Sequence, residues 1–161
     1  MPMPAPLVSR IMDIEKDWID YNGHLNMAYY NVLFDRGSDE ALAALGMGAD
    51  YAKERRLTIY TAEVHTCYVQ ELHLDHKVTV SFQLLDHDDK RLRAYQEIRH
   101  ADGWLAATCE TLSLHVDMAG PKVAPFPADI LAGIEGMRAA HACLPMPERA
   151  GRAIGIRRKT A

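Results

Sequence analysis

The chain has 161 residues, 48% of them hydrophobic and 25% charged, a length and composition that fit one globular domain rather than two. Its net charge of -4 gives no electrostatic footprint for nucleic acid, and no apolar run approaches the roughly 20 residues that a membrane helix needs. Three widely spaced cysteines (Cys67, Cys109, Cys143) suit neither a disulfide framework nor a paired metal or redox motif, and they read as buried thiols.

The N-terminus, Met1-Pro2-Met3-Pro4-Ala5-Pro6, has no basic stretch followed by an apolar one, so no secretory signal is expected and the expected location is the cytoplasm. Val8, Met12, Ile14 and Trp18 recur at even spacing, which predicts a strand over Leu7 to Trp18. A polar turn, Asp20-Tyr21-Asn22-Gly23-His24, follows. From Asn26 to Leu45 the period becomes helical, with Tyr30, Leu33, Phe34, Gly37, Ala41 and Leu45 near one face. Asn26 is placed to cap this helix and Gly46 and Gly48 to stop it, and it is the only long helix the pattern predicts. Gly37, on the apolar stripe, predicts close approach of the helix to a sheet.

Four alternating segments come next: Thr58 to Leu72, Lys77 to Asp86, Lys90 to Ala101 and Gly103 to Asp117. The short turns among the last three predict consecutive antiparallel pairing. In the first segment, alternation assigns Tyr60, Ala62, Val64 and Tyr68 to one face and Thr61, Glu63 and His65 to the other. The order predicts an α+β fold in which an antiparallel five-stranded sheet wraps around one long central helix. A single domain is expected, with its core over about 7–117 and a C-terminal extension over 118–161.

Asp20, Gly23, His24, Asn26 and Tyr30 form the pattern D-x-x-G-H-x-N-x-x-x-Y running into the helix, which resembles the hotdog-fold acyl-CoA thioesterases of the 4-hydroxybenzoyl-CoA thioesterase type over about residues 7–117. Tyr60-Thr61-x-Glu63-x-His65, Asp86-His87-Asp88-Asp89-Lys90-Arg91-Leu92, Leu114-His115-Val116-Asp117 and Gly151-Arg152-x-Ile154 are similar to the betainyl-CoA thioesterases associated with carnitine degradation. The resemblance implies hydrolysis of a small acyl-CoA, with coenzyme A as part of the substrate and no cofactor. It implies sites built between the subunits of a homodimer, or of a homotetramer made by pairing dimers. It also places the backbone N–H near Met27 on the thioester carbonyl, with Asp20 as nucleophile or general base. Two rivals remain. A hotdog hydratase would show D-x-N-P-x-H, from which this chain departs in spacing and in having Gly23 where proline would stand. A non-catalytic acyl-CoA-binding module would need an output segment for which this length has no room.

Thioester hydrolysis needs a carboxylate to attack or to activate water and a donor for the developing oxyanion. Asp20 offers the first, and the unpaired N–H groups of the following helix offer the second. An Asp at this place also serves as a cap or an Asx-turn. His24 polarises the substrate, orients Asp20 or fixes the turn; Asn26 is the cap; Gly23 admits a backbone approach that a side chain would block. Thr61, Glu63 and His65 either line the site or form a polar sheet face with a cross-strand ion pair. Glu63, if within reach, shares the acid–base work with Asp20. Lys90 and Arg91, with Arg93 beyond them, meet the phosphates of coenzyme A or are simply solvated, and the basic tail Arg152 to Lys159 flanks the nucleotide or is mobile. His73-x-x-His76 with Asp75 reads as a solvated turn, not a metal site. For a betainyl substrate, Trp18 and Tyr30 are candidate aromatic faces and Glu63 the opposing charge, although a plain apolar core suits either aromatic taken alone slightly better.

Overall fold

The computed structural model describes residues 3–158, so Lys159 of the basic tail lies outside the described residues. Two short strands, β1 (Leu7–Val8) and β2 (Met12–Asp13), and a 3-10 turn at Lys16–Trp18 lead into helix α1 (Met27–Ala44) and the shorter α2 (Ala49–Arg55). Then come β3 (Leu57–Tyr68), β4 (Lys77–His87), β5 (Arg91–His100), β6 (Leu105–Asp117), β7 (Lys122–Val123) and α3 (Ala128–His141). The sheet is antiparallel throughout, in the order β1-β4-β5-β6-β3, with β2 also on β4 and β7 on β6. Taking β1 and β2 as one interrupted position and β7 as a short addition, this is the expected five-position sheet around α1.

The approach of α1 to the sheet depends on Gly37. A Cβ there would lie 2.5 Å from Val80 Cγ1, so the missing side chain sets the helix-to-sheet distance. Buried Gln96 spans the same layer without an unpaired group: its amide donates to the Phe34 carbonyl at 2.9 Å and accepts from Ser38 Oγ at 3.2 Å.

Three expectations are corrected. The continuous strand over Leu7 to Trp18 is broken, because Ser9 donates its N–H to the Val80 carbonyl at 2.8 Å while its Oγ, in place of a backbone carbonyl, accepts the Val80 N–H at 2.9 Å. The chain leaves the ladder there, and Trp18 ends a 3-10 turn instead of a strand. Second, α1 is not the only substantial helix: α3 buries Ile130, Ile134, Met137 and His141, and the His141 Nδ1 accepts the Leu84 N–H at 2.9 Å. Third, only Cys109 is a buried thiol, its pKa pushed up to about 11 by burial; Cys67 is partly exposed and Cys143 exposed.

β3 carries a bulge at Ala62, since Thr61 pairs with Ser113 but Glu63 with Leu112. The extra residue reverses the alternation. Thr61 and Val64 both face α1, whereas Glu63 and His65 share the outer face with Arg93 and Glu110. The assignment of Thr61, Glu63 and His65 to one face is therefore overturned by a single inserted residue. The segment after α3 crosses that outer face and is fastened by Glu110, whose carboxylate accepts the Gly151 N–H at 2.6 Å and Arg93 Nε at 2.8 Å.

Candidate active site

The turn between Trp18 and α1 is built by a dense set of short bonds. Ile19 and Leu25 pair across it, Asn26 N–H donates to the Trp18 carbonyl at 2.9 Å, and Leu25 N–H donates to the Leu72 carbonyl at 2.7 Å. Inside it, Gly23 N–H closes on the Asp20 carbonyl at 3.0 Å with Gly23 at φ +81°. A Cβ on Gly23 would meet no atom of the chain within 4 Å, and the left-handed backbone at this position favours glycine.

Half-buried Asp20 accepts the Asn22 N–H on Oδ1 at 2.8 Å, an Asx-turn, and Asn26 Nδ2 on Oδ2 at 3.1 Å. Asn26 is the helix cap as expected: its Oδ1 accepts the Ala28 N–H at 3.0 Å. One side chain thus joins the carboxylate to the N-terminus of α1. The neighbouring Met27 N–H has no acceptor among the described residues and sits where the helix dipole favours negative charge. A carboxylate and an open donor set side by side in this way can attack or activate water and hold an oxyanion.

His24 points elsewhere. Its Nδ1 lies 3.3 Å from the Leu25 carbonyl and its Nε2 3.8 Å from Glu71, so its described partners fix the turn against the β3–β4 connection. His73 continues that contact, with Nδ1 3.3 Å from the Gly23 carbonyl. Two residues that sequence reasoning passed over also border the helix start. Tyr68 donates its hydroxyl to the Met27 carbonyl at 2.9 Å, and Glu71 lies between His24 and His73. Tyr68 carried no motif signal, because only the folded end of β3 brings it to α1.

The other candidates are dispersed. Tyr30 is 3% exposed and its hydroxyl accepts the Leu72 N–H at 3.2 Å, a core role in which burial pushes the phenol pKa up. Trp18 is 6% exposed, stacked on Tyr29 with centroids 5.5 Å apart and covered by the Arg36 guanidinium at 4.9 Å, so its ring is already occupied. Thr61 lines a groove of about 450 Å³ between α1 and β3, with Asn31, Asp35 and Val64. Glu63 and His65 line a different groove of about 490 Å³ on the outer face, beside Arg152. No described contact joins Glu63 to Asp20, and the sheet separates it from α1. Arg91 donates through Nε to Asp88 at 2.7 Å, while Lys90 has no ion pair among the described residues. The described residues hold no group of three or more His, Cys, Asp and Glu placed for a metal, the His73–His76 turn included.

Comparison with known proteins gives a consistent result. Residues 14–134 match the profile of the thioesterase-like superfamily. A betainyl-CoA thioesterase of Pseudomonas aeruginosa is 36% identical, with 87% of this chain and 89% of that protein aligned. An L-carnitine dehydrogenase/betainyl-CoA thioesterase of Rhizobium meliloti is 35% identical over 92% of this chain, which spans only 30% of that longer protein. Among solved structures, a Staphylococcus aureus protein in complex with CoA superposes with a TM-score of 0.89 at 25% identity, covering 98% of both chains. A candidate thioesterase from Pseudomonas putida superposes with a TM-score of 0.82 at 31% identity, over 97% of this chain and 99% of that one.

Proposed function

Because this chain belongs to the thioesterase-like superfamily, we propose that it hydrolyses betainyl-CoA, with Asp20 and the Met27 N–H as its reacting groups. Its fold is the α+β hotdog and its reaction is acyl-CoA thioester hydrolysis; the acyl group and the residue roles make up the proposal. The observation that carries it is the Asn26 side chain, which holds the Asp20 carboxylate beside the open end of α1.

With the thioester carbonyl on the Met27 N–H, water losing its proton to Asp20, or Asp20 itself, attacks the carbonyl carbon. Charge then grows on the oxygen facing the positive end of α1. Collapse breaks the C–S bond and the leaving thiolate takes up a proton; the water route releases the free acid directly, whereas attack by Asp20 leaves a mixed anhydride that a water molecule then hydrolyses to the free acid and the Asp20 carboxylate. This route uses no metal or cofactor. Two hydrogen bonds hold Asp20 in one orientation, so little reorganisation accompanies attack. His24 acts through the turn, and Glu63 is left out of the acid–base pair. Lys90 remains a candidate for the CoA phosphates, with Arg91 restrained by Asp88.

A homodimer belongs to the same proposal. The outer edge of β3 has no strand partner among the described residues, runs for 12 residues, and exposes Tyr60, Val64 and Tyr68 by 48, 53 and 45%. Long apolar edges of this kind are ones that natural proteins cover. The described residues include no helix long and apolar enough to cross a membrane, and a cytoplasmic location is proposed with the rest.

Thiol release from betainyl-CoA and from 3,3-dimethylbutyryl-CoA, which replaces the charged nitrogen with carbon, tests the substrate. A cation site worth about 0.5 to 2 kcal/mol gives betainyl-CoA an advantage of up to roughly thirtyfold in kcat/KM. If the neutral ester is hydrolysed equally well, the betainyl assignment falls and thioester hydrolysis stands.

A further inference from the structure

We propose that Tyr68 and Glu71 form the subsite for the trimethylammonium group of a betainyl thioester, an assignment that rests on the betainyl-CoA reading above. In that acyl group one methylene joins nitrogen to carbonyl carbon, so the two atoms lie about 2.5 Å apart, as N and C do within an amino-acid residue. The groups that recognise the cation must therefore border the oxyanion position at the Met27 N–H. Asp35, the carboxylate of the groove between α1 and β3, is two turns further along the helix, about 12 Å in axial rise. Glu63 is on the far face of the sheet, Trp18 is occupied by Tyr29 and Arg36, and Tyr30 is buried.

Tyr68 meets the requirement. Its hydroxyl is tied to the Met27 carbonyl at 2.9 Å, which fixes the ring at the first turn of α1. Tyr30 packs against it at 86° with centroids 5.0 Å apart, holding the ring in place while 45% of the residue stays open. A ring anchored next to the carbonyl site, at the edge proposed to meet a second subunit, offers the π-face that a permanent cation requires.

Glu71 supplies the charge. It lies three residues beyond Tyr68, and its carboxylate is 58% exposed, with one oxygen 3.8 Å from His24 Nε2 at the motif turn and the other 3.3 Å from His73 Nε2. Glu71 also lines a groove of about 620 Å³ together with Asp102, His73, His76 and His100, with neither Lys nor Arg in its lining. A trimethylammonium cannot lose its charge, and its methyl groups cannot donate strong hydrogen bonds. An aromatic surface with a carboxylate nearby compensates it where a hydrogen-bonding pocket would not.

The test is the ratio of kcat/KM for betainyl-CoA to that for 3,3-dimethylbutyryl-CoA, measured in wild type, Tyr68→Phe, Tyr68→Leu and Glu71→Gln. Using a ratio within each protein cancels differences in folded fraction. Tyr68→Phe keeps the ring and should hold the ratio within about twofold, whereas Tyr68→Leu should lower it about tenfold and Glu71→Gln about threefold or more. A wild-type preference that survives in both Tyr68→Leu and Glu71→Gln overturns the subsite and leaves the substrate reading intact. Loss of the ratio to the same extent in Phe and Leu overturns the role of the ring in favour of the hydroxyl. Should Tyr68→Leu not fold, an unchanged ratio in the exposed-site variant Glu71→Gln overturns the assignment by itself. Absence of any preference in the wild type rejects the betainyl reading and the subsite with it.

Discussion

At the scale of single residues, Asn26 is the joint between structure and chemistry. Its oxygen caps α1 and its nitrogen orients Asp20, so one substitution disturbs two properties that a second substitution separates. Asn26→Ala loses both and should cost about 1 kcal/mol of stability. Asn26→Ser retains an N-cap oxygen but no donor that spans to Asp20, so stability should stay near wild type while kcat falls about tenfold with KM little changed. Denaturant midpoints and steady-state kinetics on the two variants check this; a Ser variant with wild-type kcat would mean that the amide does not position Asp20. The Asp20 to Asn26 motif was legible because every member sits in one turn. Tyr68 and Glu71 were not, since they reach that turn only through the long β3 and its connection to β4.

At the scale of elements, Gly37 and His141 govern how the helices meet the sheet. Gly37→Ala gains about 1 kcal/mol of helix propensity but drives a methyl group into Val80, an overpacking cost of about 1 to 3 kcal/mol. A net loss near 1 kcal/mol should lower Tm by about 2 to 4 °C, and a raised Tm would refute the contact. His141 accepts the Leu84 N–H on Nδ1 and faces the Pro4 carbonyl with Nε2 at 2.9 Å, so it must be neutral to make both bonds. Burial holds its pKa below the ordinary 6.5. The unfolded chain then takes up the proton first as pH falls, and this contribution is complete above about pH 6.5 and lost progressively below it. Unfolding free energies measured from about pH 7.5 to 5.5 should decline, with a shallower decline in His141→Gln; equal slopes would assign the acid sensitivity elsewhere. α1 was readable from its stripe and its caps. α3 carries a stripe too, at Ile130, Ile134 and Met137, but the proline-flanked extension gave no reason to expect a partner face. The bulge at Ala62 leaves no trace in the alternation of β3, because no residue type there marks the extra residue that moves Thr61 to the face opposite Glu63 and His65.

At the scale of the whole molecule, the sheet separates two regions with different tasks. Its inner face holds α1, the motif turn and the exposed edge of β3; its outer face holds Arg93, Glu110 and the returning C-terminal segment. The proposed chemistry lies at the N-terminal end of α1, next to the edge proposed to meet a second subunit, and none of the proposed reacting groups lies on the outer face. That chemistry turns on Asp20. The most direct measurement is thiol release by purified, folded Asp20→Asn beside wild type. The expected result is a fall in kcat of about a hundredfold or more with KM for the acyl-CoA retained, because the carboxylate acts in the transition state. Turnover near the wild-type rate would contradict it and leave Asp20 as no more than the anchor of a turn.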